Sequence, residues 1–170
     1  MGIAPKFSAA DVHKIVEAKM QGVTAQIEAK LTRVGNKFVA DARLKADNDE
    51  YGEALRGISK TTGINKAIID GDTPSFTDRT GNLRSSIGFI IMKDGDELKS
   101  DFEQTLDGAS GKTKAISYAK EVGGQYKGSY TLVVVAGMEY AAAVESLGYD
   151  VMTGSSIQAT ENLNKYFKRK

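Results

Sequence analysis

Cysteine is absent from this 170-residue chain, and histidine occurs only once, at His13. The absence of cysteine excludes disulfides, thiolate metal ligands and cysteine nucleophiles, and it is consistent with a protein made in a reducing cytoplasm. A histidine-based metal site or a Ser–His–Asp triad would rest on His13 alone. The surrounding pattern predicts that this histidine lies on the surface, in the first turns of a helix.

Excess charge of either sign and long apolar runs are also lacking. The 23 basic and 22 acidic side chains leave a formal net charge of +1. This balance argues against nucleic-acid binding by bulk attraction, although the tail with Lys165, Lys168, Arg169 and Lys170 forms a local basic patch. No apolar run reaches the roughly 18 residues of a membrane span, and the N-terminus lacks the apolar core of a secretion signal. We therefore expect no membrane partner.

Recognisable catalytic motifs are missing too. Gly111-Lys112-Thr113 resembles the end of a phosphate-binding loop, but Leu106 stands where the motif needs its first glycine. Several carboxylates fall in predicted turns, where Asp is favoured for local hydrogen bonds; they are Asp70, Asp72, Asp78, Asp94, Asp96, Glu97 and Asp101. We expect no catalytic residue, cofactor, metal or small-molecule substrate. An enzyme, restricted to carboxylate chemistry, is the poorest interpretation.

A long amphipathic helix is predicted over residues 8–47. Ser8 is a suitable N-cap, and Asp11 follows at the spacing of a capping box. Apolar residues at three- and four-residue spacing form one stripe, namely Val12, Ile15, Val16, Val23, Ile27, Leu31, Val34, Phe38 and Ala42. Gly22 and Gly35 mark weak points or close contacts. Two interpretations stay open: a kinked pair of shorter helices, or one helix that packs along a neighbouring subunit.

Strand and helix patterns alternate in the rest of the chain. The pattern predicts a short helix at 51–58, an apolar patch at 63–70, and a short helical turn that Asp78 or Thr80 caps and that runs through Leu83 and Arg84. It also predicts strands at 87–92, 96–102 and 130–136, and helices at 113–122, 139–147 and 155–167. Asp94-Gly95 is a strong hairpin signal. The return strand at 96–102 is predicted to be exposed on one face, and the strand at 130–136, apolar on both faces, to be central and buried.

We predict one domain over residues 1–170, with a sheet-forming core at 78–136 and C-terminal helices at 139–168. The expected class is α+β, in which a long N-terminal helix and short helices pack on a small, mostly antiparallel sheet.

Two sequence blocks occur in a defined order after the long helix. Residues 78–89 contain Thr80-Gly81-Asn82-Leu83-Arg84-Ser85-Ser86-Ile87, which we name the first block. Residues 137–145 contain Tyr140-Ala141-Ala142-Ala143-Val144-Glu145, which we name the second block. The order of long helix, first block, strands and second block resembles a family of small neck, minor tail or tail-completion proteins of tailed phages, similar to the tail protein Z of phage lambda.

The resemblance covers residues 10–165 and has two departures. Many members of the family follow the glutamate of the second block with a Gly-Thr turn, whereas this chain has Ser146-Leu147. The segment before the first block is often rich in proline, and only Pro74 remains here.

The resemblance implies a non-enzymatic virion protein of the head–tail junction or upper tail, made in the bacterial host cytoplasm. Its partners would be other copies of itself in a ring, adjacent connector or tail proteins, and DNA that passes through without sequence reading. Residues of both blocks are expected to form the subunit interface; they are Thr80, Gly81, Leu83, Arg84, Ile87, Tyr140, Ala141, Val144 and Glu145. Ring subunits use heterologous surfaces that close by rotation.

Both blocks also have interpretations within a single chain. In the first block, Thr80 and Gly81 suit a capped turn. Leu83 and Ile87 suit apolar anchors in the core of the same chain. Arg84 suits a carboxylate, either on a neighbouring subunit or on Glu145 of the same chain. The helix of the second block either packs on the strand at 130–136 or offers an edge to the next subunit.

A different class of function stays open, a small nucleic-acid-associated accessory protein that uses Arg79, Arg84 and the basic tail. That alternative predicts binding that weakens steeply with salt.

Overall fold

The fold is taken from a computed structural model of the chain. The structure describes residues 8–46, 80–139, 141–146 and 150–168. Several sequence predictions lie outside the described residues, namely the helix at 51–58, the apolar patch at 63–70, Asp78, Arg79, Tyr140, Arg169 and Lys170.

Helices and strands alternate after one long helix. In chain order the elements are α1 (Ala9–Ala46), α2 (Asn82–Ser86), β1 (Ile87–Lys93), β2 (Asp96–Asp101), α3 (Ala109–Gly124), β3 (Tyr130–Ala136), α4 (Ala141–Ser146) and α5 (Thr153–Phe167). The predicted α+β class with a long N-terminal helix and a small antiparallel sheet is confirmed. The sequence pattern starts α3 at residue 113 and α5 at 155, whereas the structure begins both helices earlier.

Helix α1 is one continuous element through Gly22 and Gly35, so the interpretation as a pair of shorter helices is wrong. Its capping box is present. Asp11 Oδ2 accepts hydrogen bonds from the Ser8 backbone N–H at 3.0 Å and from Ser8 Oγ at 2.7 Å, and the Asp11 N–H donates to Ser8 Oγ at 3.2 Å. These hydrogen bonds from Ser8 hold the pKa of Asp11 below its ordinary value.

The sheet has the order β2-β1-β3, with both pairs antiparallel. Asp94 and Gly95 form the hairpin turn between β1 and β2 with φ values of 57° and 91°, as the sequence predicts. β2 is exposed along its whole length rather than on one face.

Within the described residues β1 is the central strand and β3 lies at an edge, so the prediction that residues 130–136 form a central, buried strand is wrong there. β3 is mostly half-buried, and only Val135 is fully buried. Helices cover both faces of this sheet, so β3 is apolar on both faces without a strand on each side.

Two core clusters lie on opposite faces of the sheet. On one face Phe38 of α1 packs in a cluster with Phe89 and Ile91 of β1, and α5 packs beside α1. On the other face Ile90 of β1 packs with Ala115 of α3. The alternation of β1 therefore supplies both clusters. α1 and α5 thus cover one face and α3 covers the other, and the outer edge of β3 lies beside α3 and α4.

Gly35 shows how closely α1 approaches the sheet. A Cβ atom at this position would lie 2.6 Å from the ring of Phe89, so only glycine permits this approach without displacing the ring. No described atom lies near Gly22 in the same way. The two glycines of α1 therefore differ, since one serves a close contact and the other stands in open space.

Candidate subunit interface

The first block folds as a turn that leads into α2 and β1. Gly81 takes the left-handed conformation, with φ of 76°, at the N-cap of α2. The Thr80 Oγ1 atom accepts a hydrogen bond from the Asn82 N–H at 3.3 Å. Ser85 Oγ donates to the carbonyl oxygen of Thr105 at 3.2 Å and accepts from the Thr105 N–H at 2.7 Å. The block thus holds the chain that follows β2.

The first block also receives the N-terminal end of α3 at very short range. The Gly111 N–H donates to Asn82 Oδ1 at 3.1 Å, and a Cβ at Gly111 would run into the carbonyl oxygen of Asn82. A Cβ at Gly108 would likewise collide with Ser85 Oγ. Close packing therefore accounts for Gly111, the glycine that resembles part of a phosphate-binding loop.

Burial divides the predicted interface residues of the first block. Leu83 and Ile87 are 1% and 0% exposed, so they are core anchors, as one of the two interpretations has it. Gly81 is buried as well, whereas Thr80 is exposed and Arg84 is half-buried. Buried residues can shape an interface loop but cannot themselves contact a neighbouring subunit. A direct role in assembly stays a prediction for Thr80 and Arg84.

An arginine that the sequence analysis missed ties α1 to the start of β1. Arg43 Nη1 lies 2.7 Å from Glu103 Oε2, and Nη2 donates to the Ile87 carbonyl oxygen at 3.0 Å. Burial holds the pKa of Arg43 below its ordinary value, and the positive charge of nearby Arg84 acts in the same direction. The negative charges of Glu103 and Asp101 offset only part of this lowering. The spacing of α1 places Arg43 beside the apolar stripe, but only the packed structure supplies its partners.

The second block folds as α4, and its glutamate organises the next helix. Glu145 Oε1 accepts hydrogen bonds from the backbone N–H groups of Met152 at 2.8 Å and Thr153 at 2.7 Å. Burial opposes ionisation of Glu145, but these hydrogen bonds outweigh it and hold the pKa below its ordinary value. The start of α5 therefore engages the carboxylate that one interpretation assigns to Arg84.

The predicted interface residues of α4 lie at the surface of the chain. Ala141, Val144 and Glu145 are half-buried, and Ala142 and Ala143 are exposed. None of the residues that the structure describes in α4 is fully buried. This placement is compatible with both interpretations of the helix, since it leaves apolar surface beside β3 that is only partly covered.

A groove of about 500 Å³ runs between α3, β3 and α4. Its walls are mostly apolar, and they include Tyr118, Val122, Val133, Val135, Ala142 and Met152. Two acidic residues, Glu139 and Glu145, also line it. Lys114 Nζ contacts Glu139 Oε1 at 3.1 Å on the exposed rim. Among the described residues no strand pairs with the outer edge of β3, which forms part of this groove. We name it the β3 groove.

A second apolar surface lies on the N-terminal part of α1. Every side chain from residue 8 to 22 is exposed, and so is Val23. Five large apolar side chains there are 49% to 65% exposed; they are Val12, Ile15, Val16, Met20 and Val23. The sequence pattern predicts the stripe but not which part the core covers. We name these five residues the α1 stripe.

The described part of the chain contains no helix that is both long and apolar enough to cross a membrane. Within the same residues, no three His, Asp or Glu side chains gather in a way that would hold a metal ion. Comparisons with family models, with curated proteins and with solved structures give no match for this chain.

Proposed function

We propose that this protein is a structural, non-enzymatic component of the phage head–tail junction or upper tail, of the neck or tail-completion type. It acts by assembling with copies of itself into a ring around the DNA channel. The resemblance of the long helix, the two blocks and the strands supports the family. The observation that carries the assembly role is the β3 groove, because α4 of the second block forms one of its walls.

The groove supports assembly because an apolar edge strand is costly to leave in water. Unpaired backbone groups and apolar side chains at a sheet edge invite association, and stable monomers usually guard them. Contiguous apolar surface on a soluble protein commonly marks an interaction site. The α1 stripe is a second such surface on the same chain. Two different exposed apolar surfaces on one chain suit heterologous contacts, in which one surface of a subunit binds the other surface of the next subunit in a ring.

The charge balance supports a passive role toward DNA. With 23 basic and 22 acidic side chains, the chain lacks the bulk positive charge that retains nucleic acid. We propose that DNA passes the ring without sequence reading. The remaining partners are adjacent connector or tail proteins of the virion, and the protein reaches them after synthesis in the host cytoplasm.

The first test is the solution mass of the purified protein by light scattering at low and high concentration, with negative-stain images of large species. We expect concentration-dependent self-association and closed rings. Deletion of the coding sequence from the phage or prophage that carries it tests the function independently. We expect heads and tails that fail to join, and fully joined infectious particles without the protein would contradict the proposal.

The alternative accessory role in nucleic-acid binding makes a separate prediction. Binding to DNA would weaken steeply between low and high salt, because each phosphate contact releases counterions. Tight, salt-sensitive binding by a protein that never enters particles would favour that alternative.

A further inference from the structure

We infer that the α1 stripe of one copy docks into the β3 groove of the next copy. This inference rests on the proposed self-assembly and names the two surfaces that form the contact. Each copy would present a helix on one side and a groove on the other, and among the described residues no element covers either surface. A second copy is the occupant because one chain carries both surfaces.

An internal repeat in α1 supports this choice of partner. Apolar residues recur every 11 residues in three rows, namely Val12, Val23 and Val34, then Val16, Ile27 and Phe38, then Met20, Leu31 and Ala42. A repeat of 11 residues keeps its positions on nearly one face, at about 3.67 residues per turn. The first residue of each row is exposed and the last is buried in the core. The exposed part therefore repeats the pattern of the buried part.

The buried part of α1 shows what this pattern packs against. Val34 and Phe38 belong to the core cluster on which Val134 and Ala136 of β3 pack. Val134 and Ala136 also line the β3 groove. The fold thus already matches one segment of the repeat with β3. The exposed segment offers an equivalent set of side chains to the uncovered flank of β3 in another copy.

A lysine that lies among the residues of the stripe is complementary in charge to the groove. Its counterpart in the buried part of α1 is Lys30, which is half-buried, donates to the Tyr166 carbonyl oxygen at 2.9 Å and has its Nζ 5.1 Å from the centre of the Phe167 ring. Lys19 stands one repeat earlier at the equivalent position and is exposed. Glu139 contacts Lys114 and Glu145 accepts from the start of α5, but the described residues that line the groove include these two carboxylates and no basic side chain, so the groove favours a lysine that arrives with an apolar helix face.

The extents of the two surfaces can be compared. The α1 stripe rises by about 17 Å from Val12 to Val23 at 1.5 Å per residue. The part of β3 that lines the groove, residues 133–136, is about 13 Å long at 3.3 Å per residue, so one stripe is long enough to fill it. Because the helix and the groove are different surfaces, their contact is heterologous. Repeated contacts of this kind close into a ring or extend into a filament.

A pair of complementary variants tests the inference by sedimentation velocity. Val16→Glu with Met20→Glu places charges on the stripe, and Ala142→Glu places a charge in the groove. All three positions are exposed in the single chain, so the variants should fold, which circular dichroism checks. We expect each variant to weaken self-association about tenfold or more, because a charge would be buried without a partner. An equimolar mixture should form a one-to-one complex, since it retains one intact stripe and one intact groove.

The matched control is Ala18→Glu with Gln21→Glu, which adds the same charge to the same turns of α1. These residues lie on the opposite face, because successive residues are rotated by about 100° around the helix. We expect unchanged self-association. An equal loss in the control would overturn the inference, since bulk charge would then explain the effect.

Other outcomes separate the alternatives. Loss of association in the stripe variant alone would mean that α1 pairs with α1. Loss in the groove variant alone would mean that the groove takes another segment, such as an added strand. Either result overturns the inference, as does a wild-type protein that stays monomeric at every concentration. The proposed function is judged separately, by whether particles join without the protein, so rings that persist in both variants would refute this contact alone.

Discussion

The two edges of the sheet differ in almost every property that governs association. β2 is exposed along its length and carries Asp96, Glu97, Lys99 and Asp101. Its pairing with β1 also shifts register between Ile91 and Met92. β3 carries no charged residue and borders an apolar groove. Charge and irregular pairing are the usual protection of an edge strand. One edge of the sheet is therefore protected and the other is not, which is the difference that the proposed assembly would use.

The largest expected effect comes from removing the strand packing that holds both edges. Phe89 of β1 is fully buried and pairs with Val134 of β3 and Asp101 of β2. We expect Phe89→Ala to lower the free energy of unfolding by about 3–5 kcal/mol, because it leaves a cavity in the core. Urea denaturation measures this loss. Leu98→Ala on exposed β2 is the control, and we expect a change within about 0.5 kcal/mol.

A charge placed beside the β3 edge should make this edge resemble the charged β2 edge. Tyr118 lies on the rim of the β3 groove and is 55% exposed. We expect Tyr118→Glu to weaken self-association about tenfold without unfolding the chain, because the charge would lose water on contact. Leu98→Glu places the same charge at the β2 edge and should leave association unchanged. Sedimentation velocity compares the two, and equal effects would remove the distinction between the edges.

Glu145 lines the β3 groove and stabilises the start of α5 through two hydrogen bonds, and this stabilisation should vary with pH. The pKa of Glu145 in the folded chain lies below its ordinary value. Its stabilisation is therefore present above the ordinary pKa and is lost as the pH falls through the folded pKa. We expect Glu145→Gln to cost about 1 kcal/mol at neutral pH, since a charged acceptor suits a helix N-terminus. Thermal unfolding at several pH values measures the difference.

The control for that prediction is Glu121→Gln, which removes a carboxylate from an exposed position on α3. We expect the difference between wild type and Glu145→Gln to vanish at low pH, where both side chains are neutral. A difference that stays constant across the pH range would show that the carboxylate charge has no part in holding α5.

The smallest expected effect concerns an ion pair at the protected edge. Lys120 Nζ of α3 lies 2.8 Å from Glu97 Oε2 of β2, and hydrogen bonds from Lys120 and Ser100 lower the pKa of Glu97. We expect Lys120→Gln to cost about 0.2–1 kcal/mol and less at high salt, because both side chains reach solvent. A double-mutant cycle with Glu97→Gln isolates the pair. A larger coupling would mean that α3 stabilises the protected edge.

Local patterns predicted most of the elements. The apolar spacing of α1, the capping box at Ser8 and Asp11, and the Asp94-Gly95 turn act over a few residues, and each is found in the structure. The position of β3 in the sheet was predicted wrongly. A strand at the centre of a sheet and an edge strand that helices cover on both faces have the same apolar sequence pattern, so the pattern could not distinguish them.

The candidate site was predictable only in part. Ala141 and Glu145, expected at an interface, do line the β3 groove. Leu83 and Ile87 are buried in the core, which the motif could not show, because a motif shows which residue types occur together but not which of them the chain buries. Their part in shaping an interface loop stays a prediction. The neighbours that surround Arg43 come from segments far apart in the chain, so no local pattern could have found them.

The sequence by itself determined the helices, the hairpin, the apolar repeat of α1 and the near-neutral charge, since these follow from residue types and their spacing. Only the tertiary structure decided which part of the repeat is buried, which strand became an edge and where a groove remained open. These outcomes depend on how much apolar surface the elements cover when they pack together. With α1 and α5 on one face of the sheet and α3 on the other, the core covers the C-terminal part of the α1 repeat and leaves the N-terminal part exposed.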